Sequence, residues 1–246
     1  MATVVAEGID KRFAAPGGDV VEALQNVDLA VEDGEFVCLL GPSGCGKTTL
    51  LNVMAGLMPP DAGTVVIESS QGDDPVVRTV FQESRLLPWM TVRENLAFVL
   101  DGPTRAKNLR IDDWLGRVGL TGTADYYPRQ LSIGMQQRVS VARGLIVEPD
   151  VVFMDEPFGS LDELTAMTIR EELLALWHDI GCTIVFVTHN PLEAALLGDR
   201  IVIMGAKPGR IVHEENVSEK LPRPRDADDL ELWRLARSAV RHLELR

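Results

Sequence analysis

A glycine-rich segment that ends in a lysine and a threonine carries the strongest chemical signal of the sequence. Residues 41–48 read GPSGCGKT, which satisfies the pattern G-x-x-x-x-G-K-[ST]. We expect Gly41, Gly44 and Gly46 to let the backbone curl so that its N–H groups point at phosphate oxygens. A helix that begins near Lys47 adds the positive end of its dipole. The segment therefore predicts a loop that binds the phosphates of a nucleotide.

The side chains of this loop have separate expected tasks. Lys47 reaches the terminal phosphates and takes part in catalysis, whereas the Thr48 hydroxyl is placed to ligate Mg²⁺. Thr49 adds a further phosphate contact. The remaining members of the predicted nucleotide-binding loop are Pro42, Ser43 and Cys45.

Two carboxylates follow an apolar strand in the segment VVFMDEP, residues 151–157. A buried parallel strand delivers its last residues to the carboxyl edge of the sheet, where open α/β folds bind ligands. We therefore expect Asp155 close to the Mg²⁺ that Thr48 holds. Glu156 suits the base or positioning group for an attacking water. Taken alone, an Asp-Glu pair would signal a helix start, but the glycine-rich loop favours the catalytic interpretation.

His189 follows a further apolar segment, TIVFVT. A histidine at the end of a buried strand is usually a structural residue. Its place at the same expected sheet edge as the other two motifs favours a functional role instead. We predict that His189 donates a hydrogen bond to the γ-phosphate and helps to hold the catalytic geometry.

The elements that would position these residues alternate between strand and helix. The opening third reads as short strands. Among them are TVVIES, which follows the turn PDAG and is predicted as a hairpin strand, and the unbroken apolar run FVCLL, which is typical of a strand buried on both faces. From about Thr91 to Leu145 the pattern is helical and more polar, and VVFM, TIVFVT and RIVIM then read as strands. Alternation of strand and helix implies a parallel sheet. We predict one α/β unit with a helical insertion.

Composition and charge restrict the class of protein further. The 246 residues include 24 Lys and Arg against 37 Asp and Glu, a formal net charge of −13. A chain this acidic lacks the basic footprint of a nucleic-acid-binding protein, so we predict no nucleic-acid partner. Glu7 and Asp10 stand where a signal peptide needs an apolar core. No apolar run approaches the ~20 residues of a spanning helix, so we expect a cytosolic chain whose membrane location depends on a partner.

The cysteines Cys38, Cys45 and Cys182 are an odd number with neither metal-binding nor CxxC spacing, which fits a reducing compartment. Cys45 lies inside the phosphate loop, where two interpretations stay open. It is either a redox-sensitive thiol or a small residue that points away from phosphate, and we favour the second. In either case we expect the helix dipole to lower its pKa.

Between the two halves of the predicted site stands LSIGMQQR, residues 131–138. With this segment the chain resembles the nucleotide-binding subunit of an ATP-binding cassette (ABC) transporter over essentially its full length. The resemblance implies ATP as the nucleotide and Mg²⁺ as the cofactor. It also implies an α/β P-loop NTPase fold with a RecA-like, mostly parallel sheet, an N-terminal antiparallel β subdomain and a helical signature subdomain.

The resemblance sets the expected domain organisation. We predict a single nucleotide-binding domain over residues 1–220, with the helical subdomain inserted at about 86–145. Residues 221–246 then form a Pro/Arg-rich segment and an amphipathic helix from about Asp228. That helix is a regulatory or dimer contact, or else a solvated amphipathic cap, which we favour.

The signature begins a helix, QQRVSVARGL, and is therefore a second helix N-terminus suited to phosphate. The family resemblance implies a head-to-tail homodimer in which Ser132, Gly134 and Met135 cap the ATP that residues 41–48 of the partner hold. Ile133 departs from the glycine that is usual in the family. Because a β-branched residue resists positive φ, we predict negative φ at Ile133 and a flexible, closely approaching backbone at Gly134 alone.

The resemblance assigns three further roles in the site. Gln82 matches the loop glutamine that senses Mg²⁺ and the attacking water. Phe13 matches the aromatic residue that stacks on adenine. Ser160, Leu161 and Asp162 match the loop that crosses the dimer seam.

Two segments, VFQESRLLPWMTVRENLAF and KPGRIVHEENVSEKLPRPRD, resemble the importer ATPases for nitrate, sulfonate, taurine and related small anions. In those importers the segment after the loop glutamine receives a short cytoplasmic helix of the membrane permease. Leu86, Leu87, Pro88 and Trp89 are apolar there and, if exposed, would form a partner site. The alternative is that these four residues are buried and pack the helical insertion against the sheet.

The importer resemblance implies a permease as direct partner and an extracytoplasmic solute-binding protein as indirect partner, at the cytoplasmic side of the cell membrane. Other functions stay open: an ABC ATPase of export or lipid transport, a soluble ABC ATPase of repair or translation, or a non-catalytic cassette. Glu156 and His189 argue against the last of these. We therefore predict an ATP-hydrolysing importer subunit for a small anionic solute of the nitrate, sulfonate or taurine type.

Overall fold

The structure, a computed structural model, describes residues 1–14, 19–70, 72–227 and 229–244. In chain order the elements are β1 (Ala2–Ala14), β2 (Val20–Val31), β3 (Phe36–Leu40), α1 (Lys47–Met54), β4 (Ala62–Ser69), β5 (Val77–Val80), α2 (Val92–Ala97), α3 (Thr104–Arg117), a 3-10 turn (Pro128–Gln130), α4 (Ile133–Leu145), β6 (Val151–Asp155), α5 (Glu163–Ile180), β7 (Thr183–Thr188), α6 (Pro191–Leu197), β8 (Arg200–Met204), β9 (Ile211–Asn216), α7 (Val217–Lys220) and α8 (Leu230–Glu244).

The first sheet is antiparallel and has the strand order β2-β1-β4. In the first half of β1, buried Ala2, Val4 and Ala6 alternate with residues that are less buried, as expected for a sheet with one face on the core. Phe13, near the end of β1, pairs with Val21 of β2. The sheet therefore carries the predicted adenine-stacking residue at its far end.

The second sheet has the order β5-β6-β7-β3-β8-β9. Its strands are parallel except for β9, which runs antiparallel to β8. Every residue of β3 and of β7 is buried, which explains their unbroken apolar sequences. Because β6, β7 and β3 are neighbours, the phosphate loop, Asp155 and Thr188 emerge at one edge of the sheet. The fold is thus the α/β class that the sequence predicted.

Helices α2, α3 and α4 lie between β5 and β6 in the chain. Thr91 and Glu94 form a capping box that starts α2, because each side chain accepts from the other's backbone N–H. Trp114 of α3 and Val139 of α4 belong to the same buried cluster as Phe186 of β7. This shared core fixes the helical region against the parallel sheet.

The structure departs from the sequence prediction in two places. The strand β9 and the helix α6 were not predicted. The segment of β4 was predicted as a hairpin strand, but β4 pairs with β1, which is distant in the chain. The predicted helix start at Asp228 lies outside the described residues, and α8 begins at Leu230.

Helix α8 packs against α6. Its side chains Leu232, Ala236 and Ala239 are buried in the main core, whereas Leu230 and Trp233 are exposed. In the described parts of the chain, no helix has the length and apolar character that crossing a membrane requires.

Candidate functional site

The glycine-rich loop connects β3 to α1 as its pattern predicts. Gly44 and Gly46 have φ of 77° and 101°, which residues with a Cβ rarely adopt. Gly41 is needed for a different reason: a Cβ there would lie 2.7 Å from both Met204 O and Cys45 Sγ. The loop is therefore shaped by two left-handed glycines and by one glycine that allows close packing on β8.

Lys47 is buried at the first turn of α1. Its ammonium donates to the carbonyl oxygens of Gly41 at 2.8 Å and Pro42 at 3.2 Å. These neutral acceptors hold the side chain across the loop and leave its positive charge without a carboxylate partner there. An anion entering the loop would therefore meet a positioned cation.

Thr48 and Asp155 meet at the sheet edge, with Thr48 Oγ1 donating to Asp155 Oδ1 at 2.9 Å. The pKa of Asp155 is raised, chiefly because burial disfavours the carboxylate, and the negative charge of Glu156 adds to this. The hydrogen bond from Thr48 and the charge of Lys47 act in the opposite direction. The carboxylate is therefore held in a place where a cation would stabilise it.

Glu156 and His189 form a second contact beside the first. Glu156 Oε2 lies 2.9 Å from His189 Nδ1, and the Glu156 backbone N–H donates to Val187 O at 3.0 Å. Glu156 has φ of 41°, a left-handed conformation that is uncommon for a residue with a side chain. Backbone strain of this kind concentrates at functional sites. The side chain of His189 is 58% exposed and can be reached from outside the chain.

A cavity of about 480 Å³ lies over the phosphate loop. Phe13, Gln82 and Glu156 line it together with loop residues Ser43, Gly44, Gly46, Lys47, Thr48 and Thr49. The structure therefore brings the predicted adenine-stacking residue and the loop glutamine to the glycine-rich loop. Phe13 is 38% exposed, which leaves its ring accessible in this cavity.

Lys207 also lines this cavity, and sequence analysis did not select it. It lies in the turn between β8 and β9, and its Cε is 3.8 Å from where a Cβ of Gly44 would stand. The turn is fixed to β2 because Gly209 N donates to Ala23 O at 3.0 Å. In the sequence, only the short basic segment KPGR pointed to this residue. The packing of the turn against β2 is what brings Lys207 to the cavity.

The signature residues lie apart from that cavity. Ser132 is the N-cap of α4, where its hydroxyl accepts from Met135 N at 3.2 Å. Ser132, Gly134 and Met135 are not among the residues that line the cavity over the glycine-rich loop. Met135 instead packs, partly buried, on the hydrophobic core. The structure does not bring the signature to the glycine-rich loop of the same chain.

Ile133 is the first residue of α4 and is not among the described residues with positive φ, which confirms the prediction made for it. Gly134 also lies in α4 and is not among the described glycines with positive φ. A Cβ on Gly134 would lie 2.9 Å from Thr165 Cγ2. The close approach that requires glycine is therefore to α5 of the same chain.

Two glutamines follow the signature and connect it to the segment after β5. Gln137 Nε2 donates to Phe81 O at 3.3 Å, and Ser84 Oγ donates to Gln136 Oε1 at 3.3 Å. These contacts place the start of α4 beside Gln82. Gln82, Ile133 and Ser160 line a second cavity of about 480 Å³.

Asp162, predicted in the seam loop, is the N-cap of α5. Its carboxylate accepts from Thr165 N at 3.0 Å and from Thr165 Oγ1 at 2.7 Å. These hydrogen bonds lower the pKa of Asp162. Asp162 therefore fixes the junction between the seam loop and α5 within its own chain.

Cys45 is 1% exposed and belongs to the core beneath the first sheet. The pKa of its thiol is raised because burial disfavours the thiolate, an effect larger than the lowering by Lys47. The expectation that the helix dipole lowers this pKa is therefore wrong. The favoured interpretation, a small side chain turned away from phosphate, agrees with the burial.

The apolar residues 86–89 after Gln82 were predicted either to form a partner site or to pack the helical insertion against the sheet, and the structure shows some of them buried and others exposed. Leu86 is buried in the core beside the helical region, and Leu87 is half-buried. Pro88 is exposed, and Trp89 is 70% exposed. Leu86 therefore packs the helical insertion against the sheet, whereas Pro88 and Trp89 are exposed and available to a partner.

The residues at the sheet edge fit a magnesium ion. Thr48 and Asp155 offer a hydroxyl and a carboxylate oxygen 2.9 Å apart, and Mg²⁺ prefers oxygen ligands. In the described residues no group of three or more His, Cys, Asp or Glu could hold a metal. A magnesium ion here would accordingly need phosphate oxygens as well, as is usual for nucleotide sites.

A phosphate loop between a buried parallel strand and a helix, with carboxylates at the end of another strand of the same sheet, defines the class of P-loop nucleoside triphosphatases. The profile of the ABC transporter family matches residues 24–159, more than half of the sequence. The chain belongs to the ABC transporter family and is an ATP-hydrolysing cassette.

Importer subunits are among the proteins with a similar sequence. The taurine import ATP-binding protein TauB of Pelagibacter ubique is 41% identical, over 88% of this chain and 84% of TauB. The aliphatic sulfonates import ATP-binding protein SsuB of Bacillus cereus is 38% identical, over 98% of this chain and 96% of SsuB. The chain therefore spans most of the length of both relatives.

Among solved structures, the chain is similar to the ATP-binding cassette MJ0796, which was determined as a dimer in a post-hydrolysis state with bound ADP and Pi. The two share 34% sequence identity with a TM-score of 0.76, over 87% of this chain and 98% of the other. This similarity supports both the fold and the ATPase class.

Proposed function

We propose that two copies of this chain bind ATP between them, head to tail, and that hydrolysis drives import of a small anionic solute through a partner permease. The proposal places Ser132, Gly134 and Met135 of one copy against ATP in the glycine-rich loop of the other. It is supported by the position of these residues apart from the cavity of their own chain. The dimeric state of the similar cassette MJ0796 also supports it.

One observation carries the catalytic part of the proposal: Thr48–Asp155 and Glu156–His189 are both 2.9 Å contacts at one sheet edge. Thr48 and Asp155 would hold Mg²⁺, with Gln82 as a further proposed ligand. When bound, Mg²⁺ would neutralise charge on the β- and γ-phosphates.

The other side chains act on the phosphates and on water. Lys47, fixed by two carbonyl groups, would bind the terminal phosphates, and loop residues 41–49 would surround them. Glu156 would accept a proton from, or orient, the attacking water. His189 uses Nδ1 toward Glu156, so its Nε2 is the nitrogen that we propose for the γ-phosphate. Phe13 would stack on adenine and Asp162 would lie at the seam.

The variant Glu156→Gln tests this arrangement. It keeps the shape of the side chain but removes its basicity, so ATP should remain bound and hold two copies together. Light scattering after size exclusion should show a dimer with ATP and Mg²⁺ and a monomer with ADP. The exposed Glu171→Gln on α5 is the matched control, and it should behave as the natural protein does. A strictly monomeric Glu156→Gln protein with ATP would contradict the head-to-tail dimer.

We propose that the permease contacts Pro88 and Trp89. Their exposure and their place directly after the loop glutamine support this, because a bound permease helix would then act on Gln82 through a short segment. Trp89→Ala should weaken co-purification with the permease and leave the ATPase rate of the isolated subunit within about twofold. The control Trp233→Ala removes another exposed tryptophan, on α8. Equal recovery of the permease with both variants would contradict the docking site.

The proposed solute is small and anionic because TauB and SsuB are named for taurine and aliphatic sulfonates. The chain would lie at the cytoplasmic face of the membrane, attached through the permease, with a solute-binding protein on the other side. The transporter, purified through a tag on this subunit and reconstituted with its binding protein, should show ATPase stimulation by taurine or ethanesulfonate. Stimulation only by solutes that carry no sulfonate or other anionic group would contradict the proposed substrate class.

A further inference from the structure

A buried arginine outside the nucleotide cavity connects two parts of the site. Arg170 on α5 is 6% exposed. Its Nε lies 2.8 Å from Glu193 Oε1, and one terminal nitrogen lies 2.7 Å from Glu163 Oε1. Glu193 is also 6% exposed. Burying a charge pair to this extent lowers the stability of the fold unless both groups are well hydrogen-bonded. The pair is therefore weak evidence for a purely stabilising role.

Glu193 continues the network to both neighbours of His189. Its second carboxylate oxygen accepts from the hydroxyl of Thr188, and the same hydroxyl accepts from Asn190 N at 2.9 Å. Asn190 in turn caps α6 by accepting from the backbone N–H groups of Leu192 and Glu193. The residue before His189 and the residue after it are therefore both bonded into one network.

The other end of the network lies at the predicted dimer seam. Glu163 is the first residue of α5 and follows the N-cap Asp162 directly. A cavity of about 170 Å³ lies between the two ends, and Glu156, Leu161, Arg170 and His189 are among its lining residues. Arg170 thus joins the start of α5 to the segment that carries His189.

We propose that Arg170 is a positioning residue for ATP hydrolysis, which holds the His189 segment at a fixed distance from the seam loop. This inference rests on the proposed role of His189. The rigid guanidinium of Arg170 donates to two carboxylates in fixed directions, Nε to Glu193 and a terminal nitrogen to Glu163, which a single ammonium could not do as well. Thr188 and Asn190 transmit that geometry to the backbone of His189. A displacement of about 1 Å at a catalytic group can cost roughly 100-fold in rate.

The test compares binding with hydrolysis in the full-length chain. Arg170→Met removes the charge and keeps much of the length, and Glu193→Gln keeps the shape of its partner. Each should lower the single-turnover rate of ATP hydrolysis roughly 10- to 100-fold. Each should leave the Kd for ATP within about twofold, because neither residue lines the cavity over the phosphate loop. Arg170→Lys should recover only part of the rate.

The decisive measurement repeats Arg170→Met in a His189→Ala background, where single-turnover conditions resolve slow rates. If Arg170 acts through His189, the second substitution should change the residual rate by less than about twofold. Arg138→Met is the matched control, since Arg138 makes a comparable pair with Glu172 at 2.7 Å between α4 and α5. Any effect of Arg138→Met should be the same in both backgrounds.

Equal losses from Arg170→Met in both backgrounds would overturn the proposal and assign the pair to stability alone. A Kd for ATP that rises as much as the rate falls would also overturn it. Should Arg170→Met fail to fold, as judged by its circular dichroism and melting temperature, Glu193→Gln replaces it in the same comparison. A normal rate for His189→Ala alone would instead contradict the proposed function of His189, so the two failures are distinguishable.

Discussion

Thr48 Oγ1 donates to Asp155 Oδ1 at 2.9 Å, although the two residues are 107 positions apart in the chain. The pair joins the first turn of α1, directly after the phosphate loop, to the end of β6, although β7 separates β6 from β3 in the sheet. Burial raises the pKa of Asp155, so the carboxylate is less stable here than in water. The negative charge of Asp155 is therefore destabilised by burial, and a bound cation would stabilise it.

We expect Asp155→Asn to stabilise the nucleotide-free protein and to abolish its magnesium-dependent activity. The amide keeps an acceptor for Thr48 but removes the buried charge, so the melting temperature should rise by roughly 2–4 °C. The ATPase rate should fall by roughly 100-fold or more. Calorimetry and a phosphate-release assay measure the two effects, and the exposed Asp125→Asn should change neither. A lower melting temperature for Asp155→Asn would show that the carboxylate is not strained.

The raised pKa of Asp155 also predicts a pH dependence. Above the ordinary value of 3.8 and below the raised one, the folded state binds more protons at this site than the unfolded state does. The contribution of Asp155 to stability therefore falls as the pH rises through that window. Urea unfolding of the nucleotide-free protein should show this decline in the natural chain and a smaller one in Asp155→Asn. The same slope in both would contradict the assignment.

Motifs that are contiguous in the chain were predictable from the sequence. The glycine-rich loop, Asp155–Glu156 and His189 each follow an apolar strand, and neighbouring parallel strands place their carboxyl ends together. The absence of positive φ at Ile133 was also predictable, because β-branched residues avoid that conformation. Sequence rules that consider a residue and its neighbours in the chain were sufficient to predict these features, because those residues alone determine the local geometry.

Contacts between distant elements were not predictable in this way. Strand β9 alternates polar and apolar residues too weakly to be recognised, and it exists because β8 offers an edge to pair with. Arg170 and Glu193 look like ordinary charges on helices until α5 and α6 are packed together. The sequence predicted a lowered pKa for Cys45, but the pKa is raised. Burial beneath the first sheet causes this rise, and it exceeds any lowering by the helix.

Lys207 should contribute to nucleotide affinity from the turn after β8. It lines the cavity over the phosphate loop, in a chain whose net charge is negative. Lys207→Gln should raise the Kd for ATP by about two- to fivefold, the value of an exposed charge contact. The effect should diminish at high salt because exposed charges are screened. Lys107→Gln on α3 is the control, and an equal Kd for both variants at low salt would contradict the contact.

Gly134→Ala should separate packing from function in the signature. The added methyl would lie 2.9 Å from Thr165 Cγ2, so we expect a loss of about 1–3 kcal/mol in unfolding free energy. Thr165→Ser removes Cγ2 but keeps the hydroxyl that bonds Asp162. The double variant should therefore recover much of the lost stability.

The double variant also tests the head-to-tail dimer. If Gly134 approaches ATP of the other copy, Gly134→Ala with Thr165→Ser should fold normally but form less ATP-dependent dimer in the Glu156→Gln background. Thr165→Ser alone is the control and should dimerise fully. Full dimerisation of the double variant would mean that Gly134 is required only for packing against α5.

The thiol of Cys45 should be unreactive in the folded protein although it lies in the phosphate loop. Burial raises its pKa, burial likewise raises the pKa of Cys182 to about 12, and only the thiolate reacts readily. Iodoacetamide at neutral pH should therefore modify Cys38, Cys45 and Cys182 slowly and at similar rates, as measured by mass spectrometry of peptides. In concentrated guanidinium chloride, all three should react rapidly. Selective and fast labelling of Cys45 in the folded chain would instead favour a redox-sensitive thiol, since burial alone would then fail to protect it.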